Sequence, residues 1–399
     1  MRSLLYMKPI LILILISFLN TSCTTEQPKQ HWKKGNLHTH SLWSDGDDFP
    51  EMIIKWYKDH DYQFVALSDH NTIASKEFWY KLTARETKNK TLEKYQKEFG
   101  DWVETKDSAD SKYVRLKTYD EYRTKMEEPS NFIIIKSEEV TSSFDRKPVH
   151  INVSNIENYI APIKGSSVVD VMQQTLDIVH KQRKETNTPM FAHINHPNFG
   201  YGITANDFKK LKGERFFEVY NGHPSVHNEG DETHISIEEM WDVINVSYYQ
   251  QGKPLLYGIG TDDSHHYHTL SSKYSNSGRG WVMVDSHQID AHSIILTMEA
   301  GKFYASSGIE LKTVRHTDKK YFVEVDPVEG FNYEIIFYGL KKGGNSVVEL
   351  YKTSEKSATY KFKKDDVFVR AKINSNFKIT NPYKEGETAQ AWTQPVIIN

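Results

Sequence analysis

Two histidines and an aspartate lie close together in a short segment near the N-terminus, residues 36–46. One residue separates His38 from His40, so on an extended strand both imidazoles point to the same side of the chain. Such a pair suits two imidazole ligands of one metal ion, and the carboxylate of Asp45 follows in the same segment. The segment predicts metal chemistry close to the start of the folded chain.

Further clusters of His, Asp and Glu recur along the chain, at or just after short apolar runs. They are Ser68–Asn71, Glu138–Glu139, His150, His193–His196, Asn221–His223 and Asp262–His265. Helical patterns separate several of these runs, and strands that alternate with helices favour a parallel α/β architecture. Because barrel enzymes of this class place catalytic groups at the C-terminal ends of their strands, we expect a (β/α) barrel with a multi-metal site at its mouth.

Composition narrows the choice of ligands and partners. The formal net charge of the 399-residue chain is -3, which gives no electrostatic reason to expect bulk nucleic-acid binding. Cys23 is the only cysteine, so intramolecular disulfides and cysteine-based zinc sites are excluded. Any metal ion must be held by histidine and carboxylate side chains.

The N-terminus is typical of an export signal. Arg2 and Lys8 precede the apolar run Ile10–Ile16, which is shorter than the ~20 residues of a membrane-spanning helix but fits the core of a signal peptide. Cys23 follows three small or polar residues, as in a bacterial lipoprotein signal; a plain secretory signal with an incidental cysteine is the alternative. We expect a signal peptide over 1–23, a tether over 24–33, and an exported bacterial lipoprotein that a lipid on Cys23 anchors to the membrane, on its periplasmic or cell-surface side.

The remaining chain divides into two predicted regions. Residues 34–308 carry the alternating strands and helices, interrupted at 76–128 by a segment rich in Lys, Glu, Asp and Tyr that is predicted to be a mostly helical insertion. Because this insertion follows His70 directly, it should emerge at the barrel mouth and restrict substrate size; a solvated helical decoration is the alternative. Residues 309–399 contain short strand patterns separated by turns and predict an all-β, sandwich-like module.

Taken in order, these motifs resemble the successive motifs of the PHP (polymerase and histidinol phosphatase) superfamily. They are His38–His40, Ser44–Gly46, Ser68–Asn71, Glu139–Val140, His150, His196–Pro197 and Asp263–His265. The resemblance covers roughly residues 34–308 and implies a distorted (β/α)7 barrel with two or three divalent ions, Zn, Mn or Fe. The closing segment 391–395 resembles the tail of secreted PHP hydrolases of the carbaryl-hydrolase-like group.

The resemblance implies nine metal ligands in three sets. The first set is His38, His40, Glu139 and Asp263. The second set is Glu139, which would bridge two ions, with His150 and His196. The third set is Asp45, His70 and His265. Some members of the superfamily carry histidine where this chain has Asp45, and the change bears on which metal the third set prefers.

Three of these ligands have a neighbour of the same type. Glu138 could replace Glu139, His193 could replace His196, and Asp262 could replace Asp263. The family patterns Glu-Val, His-Pro and Asp-x-His favour the second member of each pair. The neighbours are then expected to orient the ligands.

Clustered divalent ions suit hydrolysis of a small-molecule phosphomonoester or phosphodiester by a hydroxide that bridges the ions. Glu139, Asp263 and His265 are the residues we expect to take part in catalysis. His223 is a candidate substrate contact, and Arg279 a candidate phosphate clamp. The alternatives are a carbamate, ester or amide hydrolase that uses the same site, and a non-catalytic metal-binding surface lipoprotein.

Overall fold

The computed structural model describes residues 29–398. The predicted signal peptide, Cys23 and the tether up to residue 28 lie outside the described residues. Among the helices that are described, none combines the length and the apolar character that crossing a membrane requires.

The described residues form eight α-helices and twenty strands. The helices are α1 (Pro50–Asp59), α2 (Ala84–Asn89), α3 (Thr91–Phe99), α4 (Tyr119–Met126), α5 (Val168–Thr186), α6 (Ala205–Phe208), α7 (Ile237–Gln250) and α8 (Ala291–Glu299). The first ten strands are β1 (Trp32–Asn36), β2 (Phe64–Leu67), β3 (Phe78–Lys81), β4 (Thr105–Ser108), β5 (Ser111–Leu116), β6 (Ile133–Phe144), β7 (Lys147–Ser154), β8 (Phe191–Ile194), β9 (Phe216–Asn221) and β10 (Tyr257–Thr261). The other ten are β11 (Trp281–Asp285), β12 (Phe303–Ser306), β13 (Leu311–His316), β14 (Lys320–Val325), β15 (Tyr333–Lys341), β16 (Val347–Thr353), β17 (Ser357–Lys361), β18 (Asp366–Lys378), β19 (Thr388–Thr393) and β20 (Val396–Ile397).

One large mixed sheet organises the fold, in the order β10-β9-β8-β7-β6-β2-β1-β11-β12-β19-β18-β15-β16. Strands β8, β9 and β10 are parallel, as are β1, β2 and β6. Strand β7 is antiparallel to both of its neighbours, and β11 is antiparallel to β1. The α/β class is therefore confirmed. The closed (β/α)7 barrel is not, because within residues 29–398 no ladder joins β10 to the far side of the sheet.

Helices cover the sheet through apolar stripes of helical spacing. In α5, Val171, Met172 and Val179 are buried, and the Ser167 hydroxyl caps the N-terminus by accepting from the Asp170 N–H. In α7, Trp241 is fully buried against the sheet. These helices pack against the apolar face of the sheet and complete the core there, so the ends of the strands are available for polar side chains.

The insertion contains the predicted helices together with a small sheet that the sequence did not predict. Strands β3, β5 and β4 form a three-stranded antiparallel sheet beside α2, α3 and α4. The Lys- and Glu-rich composition favours helix, but alternating residues of β5 such as Val114 and Leu116 are buried. Their burial against Leu42 and Phe49 decides the conformation.

The C-terminal strands form two packed layers. Strands β13, β14 and β17 make a small antiparallel sheet, and Val323 of β14 shares a core with Phe337 of β15 and Ile373 of β18. Strand β19 pairs with β12, so the main sheet runs across the predicted boundary at residue 308.

Candidate metal centre

The chain beyond β1 and the chain beyond β10 meet at one end of the sheet. The Asp263 N–H donates to the His38 carbonyl at 3.0 Å, and the His40 N–H donates to the Ser264 carbonyl at 2.9 Å. On the other side, a parallel bridge joins His70, after β2, to Glu139 of β6. Backbone pairing thus brings residues that are distant in sequence to the same strand ends.

Four buried donor atoms of the first set converge there. They are Nε2 of His38, Nε2 of His40, Oε2 of Glu139 and Oδ1 of Asp263. The two imidazole nitrogens are 3.1 Å apart. From Asp263 Oδ1 to the nitrogens of His38 and His40 the distances are 3.2 and 3.3 Å, and from Glu139 Oε2 they are 3.5 and 3.3 Å.

These separations match ligand atoms around one ion. Atoms about 2.1 Å from a metal are about 3.0 Å apart at a right angle and about 3.4 Å apart at the tetrahedral angle. The buried Oε2 of Glu139 accepts no hydrogen bond of acceptable geometry, although His70 Nδ1 lies 2.7 Å from it. Such an orphaned acceptor costs about 1–3 kcal/mol, and a cation would offset that cost. The first set fits a divalent metal ion.

The second set surrounds the other oxygen of Glu139. Oε1 lies 3.0 Å from His150 Nδ1 and 3.6 Å from His196 Nε2, and the buried His150 Nδ1 has no hydrogen-bond partner. The closest groupings differ from the implied set, since His150 clusters with His70 and Glu139, whereas His196 clusters with His38 and Asp263. Glu139 nonetheless presents one oxygen to each set, as a bridging carboxylate does.

The third set gathers around Asp45. Oδ1 of Asp45 lies 3.3 Å from His265 Nε2, and Oδ2 lies 3.6 Å from His70 Nε2. His40 joins this group, with its Nδ1 3.8 Å from Asp45 Oδ1. All nine residues implied by the family resemblance therefore lie in one cluster of side chains.

Electrostatics holds Glu139 and His40 in forms that bind metal, whereas nearby carboxylates outweigh burial and raise the pKa of His38 and of His70, so these two must release a proton when a cation binds. Burial alone would raise the pKa of Glu139, but the surrounding histidines, His70 first, hold it well below its usual value. Burial together with the neighbouring His265 and His70 lowers the pKa of His40 to about 3. At neutral pH Glu139 is a carboxylate and His40 is a neutral imidazole, and these are the forms that coordinate cations.

Two ligands have left-handed backbone conformations. The φ angle is +21° at His196 and +49° at Asp263, and such a residue costs about 1–3 kcal/mol unless its surroundings impose it. The His196 N–H donates to Glu218 Oε2 at 2.8 Å, and the Asp263 N–H is held by His38. The strain is local to the cluster and directs both side chains into it.

Glu218 is the main residue of the site that the sequence did not reveal. It is fully buried in β9 and its Oε1 accepts from His38 Nδ1 at 2.6 Å, which would leave His38 Nε2 free to coordinate an ion. His193 Nε2 lies 3.5 Å from the same oxygen of Glu218. The available signal was a single carboxylate inside the apolar run Phe216–Tyr220.

Replacing Glu218 with glutamine is expected to weaken metal binding about 10-fold, since His38 loses a charged acceptor that fixes its orientation. Metal affinity can be measured by calorimetric titration of the chelated and dialysed chain. Glu214→Gln is the matched control, because Glu214 is also buried but contacts Tyr248 and not the cluster. Equal affinities in the two variants would contradict the role of Glu218.

Two asparagines support the carboxylate ligands. Asn195 donates to Glu139 Oε1 at 2.8 Å, and Asn221 donates to Asp263 Oδ2 at 3.1 Å. Of the neighbours considered from sequence, Glu138 turns away, with Oε2 accepting from the Ile160 N–H. Asp262 accepts three backbone N–H groups from residues 278–280.

Arg279 is not a phosphate clamp, which corrects that expectation. Its fully buried guanidinium donates to the carbonyls of Gly222, Tyr274 and Ser271. His223 does lie at the cluster, with its ring centroid 5.6 Å from that of His265. Its Nδ1 accepts from the Ser225 N–H, so the neutral ring carries its proton on Nε2, and burial lowers the pKa of His223 to about 4.

The insertion holds the Asp45 loop (residues 41–49). Arg85 of α2 donates to the carbonyls of Gly46 at 2.9 Å and Asp45 at 3.3 Å, and Tyr95 of α3 stacks on Phe49 with ring centroids 4.1 Å apart. Because the Asp45 side chain is 57% exposed, burial does little to fix it. The position of this ligand depends on contacts with the insertion.

Replacing Arg85 with alanine is expected to weaken the third set selectively, because the Asp45 loop loses two hydrogen bonds. In a metal titration, the weakest binding step should shift about 10-fold while the tighter steps stay unchanged. Lys88→Ala is the control, since Lys88 is exposed on the same helix. Equal weakening of every step would contradict this assignment.

No family model matches the chain, and no curated protein matches it. Several solved structures are similar to the chain, and three of them are described here. One is a two-domain protein from Bacteroides vulgatus that contains a predicted PHP-like metal-dependent phosphoesterase, at 12% identity and a TM-score of 0.40, over 92% of this chain and 97% of the other. The second is an amidohydrolase from Chromobacterium violaceum with bound sulfate and no metal, at 14% identity and a TM-score of 0.29, over 61% and 90%.

The third, from Bifidobacterium adolescentis, is described as a metal-dependent phosphoesterase and matches at 10% identity and a TM-score of 0.28, over 59% of this chain and 89% of the other. At these identities and scores, the similarities say nothing about the substrate of this chain.

Proposed function

We propose that this protein is a metal-dependent hydrolase that cleaves phosphoesters of small molecules. The first set carries the proposal, because its four buried donor atoms lie at the mutual distances of ligands around one ion, and one of them, Glu139 Oε2, accepts no hydrogen bond of acceptable geometry. Bound divalent ions supply an activated water and offset the charge that develops on the phosphoryl oxygens. The second and third sets lie next to the first, and they support the proposal that two or three ions bind.

The residues of the chain have separate tasks in this proposal. Glu139 bridges the first and second sets with its two oxygens. Asp263 belongs to the first set and its second oxygen lies near His196 of the second set. His265, in the third set, lies next to His223, whose Nε2–H can donate to a substrate oxygen at the rim. Asn195 and Asn221 hold the carboxylates in place, so the substrate meets a prearranged site.

Hydrolysis of a carbamate, ester or amide at the same site is the second candidate. The observation that favours it is the burial of Arg279, because a neutral acyl substrate needs no guanidinium clamp. The test is a panel of phosphomonoesters, phosphodiesters, carboxyl esters and carbamates, assayed with the metal-reconstituted chain and again with chelator. Turnover of phosphoesters that chelator abolishes is expected. Turnover of acyl substrates alone would favour the second candidate. No turnover of any substrate would favour a non-catalytic metal-binding lipoprotein.

We also propose that the strands approximate a distorted barrel that closes only at the metal centre. The support is the pair of backbone hydrogen bonds that links His38 to Asp263 and His40 to Ser264. The layers formed by β13–β19 then act as a β-rich module beside it.

The insertion is proposed to limit substrate size at this site. Its contacts with the Asp45 loop and with His268, which bonds Thr91 at 3.1 Å, place it beside the third set. The Arg85→Ala chain should therefore hydrolyse a bulky phosphoester faster, relative to a small one, than the unchanged chain does. An unchanged ratio would contradict the proposal.

Export and anchoring through a lipid on Cys23 are part of the proposal and depend on the sequence alone. Palmitate labelling of the expressed chain should be lost in Cys23→Ser. Labelling that persists in this variant would contradict the anchor.

A further inference from the structure

We propose that a cavity at the opposite end of the sheet from the metal centre binds a phosphate-bearing organic anion. Strands β1, β9 and β10 end toward the metal centre, whereas the cavity is lined by residues at their beginnings, Trp32, Arg215 and Tyr257. Its volume is about 600 Å³, within the range of small-molecule sites. The cavity is therefore separate from the catalytic cluster.

The lining of this cavity is basic. Arg215 and Lys302 have no carboxylate partner among residues 29–398, and the buried Nε of Arg215 has no hydrogen-bond acceptor. The one acidic residue of the lining is Asp285, whose oxygens already accept from Gln30 Nε2 at 3.0 Å and the His31 N–H at 2.7 Å. The lining carries the cations Arg215, Lys302 and Arg315 against the single carboxylate of Asp285, so positive charge is in excess there although the whole chain has a net charge of -3.

Aromatic side chains form the apolar part of the lining. The Arg215 guanidinium lies 4.8 Å from the ring centroid of Tyr257, and Phe303 and Trp32 line the same cavity. Gly301, at φ +69°, leaves room for Tyr257, since a Cβ there would lie 2.7 Å from the tyrosine oxygen. Cations beside flat rings suit a ligand that pairs a phosphate with an organic group, because guanidinium binds phosphate oxygens in pairs while the rings contact the remainder.

Two sources of such a ligand share this chemistry. One is a soluble phosphoester, and the other is the headgroup of an anionic phospholipid. Gln30 lines the cavity and follows Cys23 by a short stretch of chain, so an anchor at Cys23 would keep this end near a membrane.

The test uses the full chain with Glu139→Gln, so that phosphate at the metal centre does not contribute, and with Cys23→Ser, so that an anchor does not mask lipid binding. Inorganic phosphate is titrated by calorimetry, and flotation measures association with vesicles that do or do not contain phosphatidylglycerol. Adding Arg215→Ala and Lys302→Ala to this chain should weaken either phosphate binding or vesicle association at least 10-fold. Lys378→Ala, at an exposed lysine outside the cavity, is the control.

Loss of phosphate binding identifies a soluble ligand, and loss of vesicle association alone identifies a headgroup. If neither changes relative to Lys378→Ala, the cavity is not an anion site. Should the double variant melt early, Lys302→Glu at the rim replaces it and has the same expected outcomes. Hydrolysis by the chain with an intact Glu139 should be unchanged by Arg215→Ala, so failure here is distinguishable from failure of the proposed function.

Discussion

Replacing Glu139 with glutamine is expected to remove most bound metal and to lower kcat/KM at least about 1,000-fold, equivalent to about 4 kcal/mol. Its two oxygens face different ligand sets, with His40 Nε2 at 3.3 Å and His150 Nδ1 at 3.0 Å. An amide would present an N–H₂ group to one of these sets, which repels a cation. Metal content and turnover of the purified variant should therefore fall together.

Glu138→Gln is the matched control for this variant. Glu138 is equally buried and adjacent, but its Oε2 accepts from the Ile160 N–H and it touches no histidine of the cluster. We expect this variant to keep its metal and its turnover. If Glu138→Gln lost metal and Glu139→Gln kept it, the register of this ligand would be wrong.

Substitutions at the adjacent aspartates Asp262 and Asp263 should separate the effect on metal binding from the effect on stability. Asp263→Asn is expected to lose metal from the first set with little change in the free energy of unfolding of the metal-free chain, because asparagine tolerates the φ of +49° found there. Asp262→Asn is expected to lower that free energy by about 3 kcal/mol. Its carboxylate accepts from Gly278, Arg279 and Gly280 N–H groups and from Tyr57, and an amide cannot accept at both positions.

Denaturant unfolding and metal analysis of the two variants test whether one substitution affects stability alone and the other affects metal binding alone. The expected result is early unfolding without metal loss for Asp262→Asn, and the reverse for Asp263→Asn. Metal loss in both variants at equal stability would contradict the separate roles assigned to these neighbours.

The position of the ligands could be predicted from sequence because strand ends gather at one edge. His38, His70 and Asp263 come two or three residues after the ends of β1, β2 and β10, and parallel strands bring such residues together. Glu218 could not be assigned in this way, since it lies within β9 and its role depends on the strand's alternating faces. The direction in which a strand residue points, relative to a partner 180 positions away in sequence, is a tertiary property.

The fold was less predictable than the site. Composition suggested helix for the insertion, but Val114 and Leu116 gain more from burial against the Asp45 loop than from local propensity. The strand periodicity also carries no information on direction, so the antiparallel β7 and the open edge at β10 could not be read from it. Pairing between distant segments decides both features.

Elemental analysis of the purified chain, reconstituted with Zn, Mn or Fe and dialysed, tests the metal centre most directly. The geometry of the three sets predicts two or three equivalents of divalent metal per chain, and less than half of that in Glu139→Gln. A metal content near zero in the unchanged chain, or equal contents in the two chains, would contradict the assignment of this cluster as a metal centre.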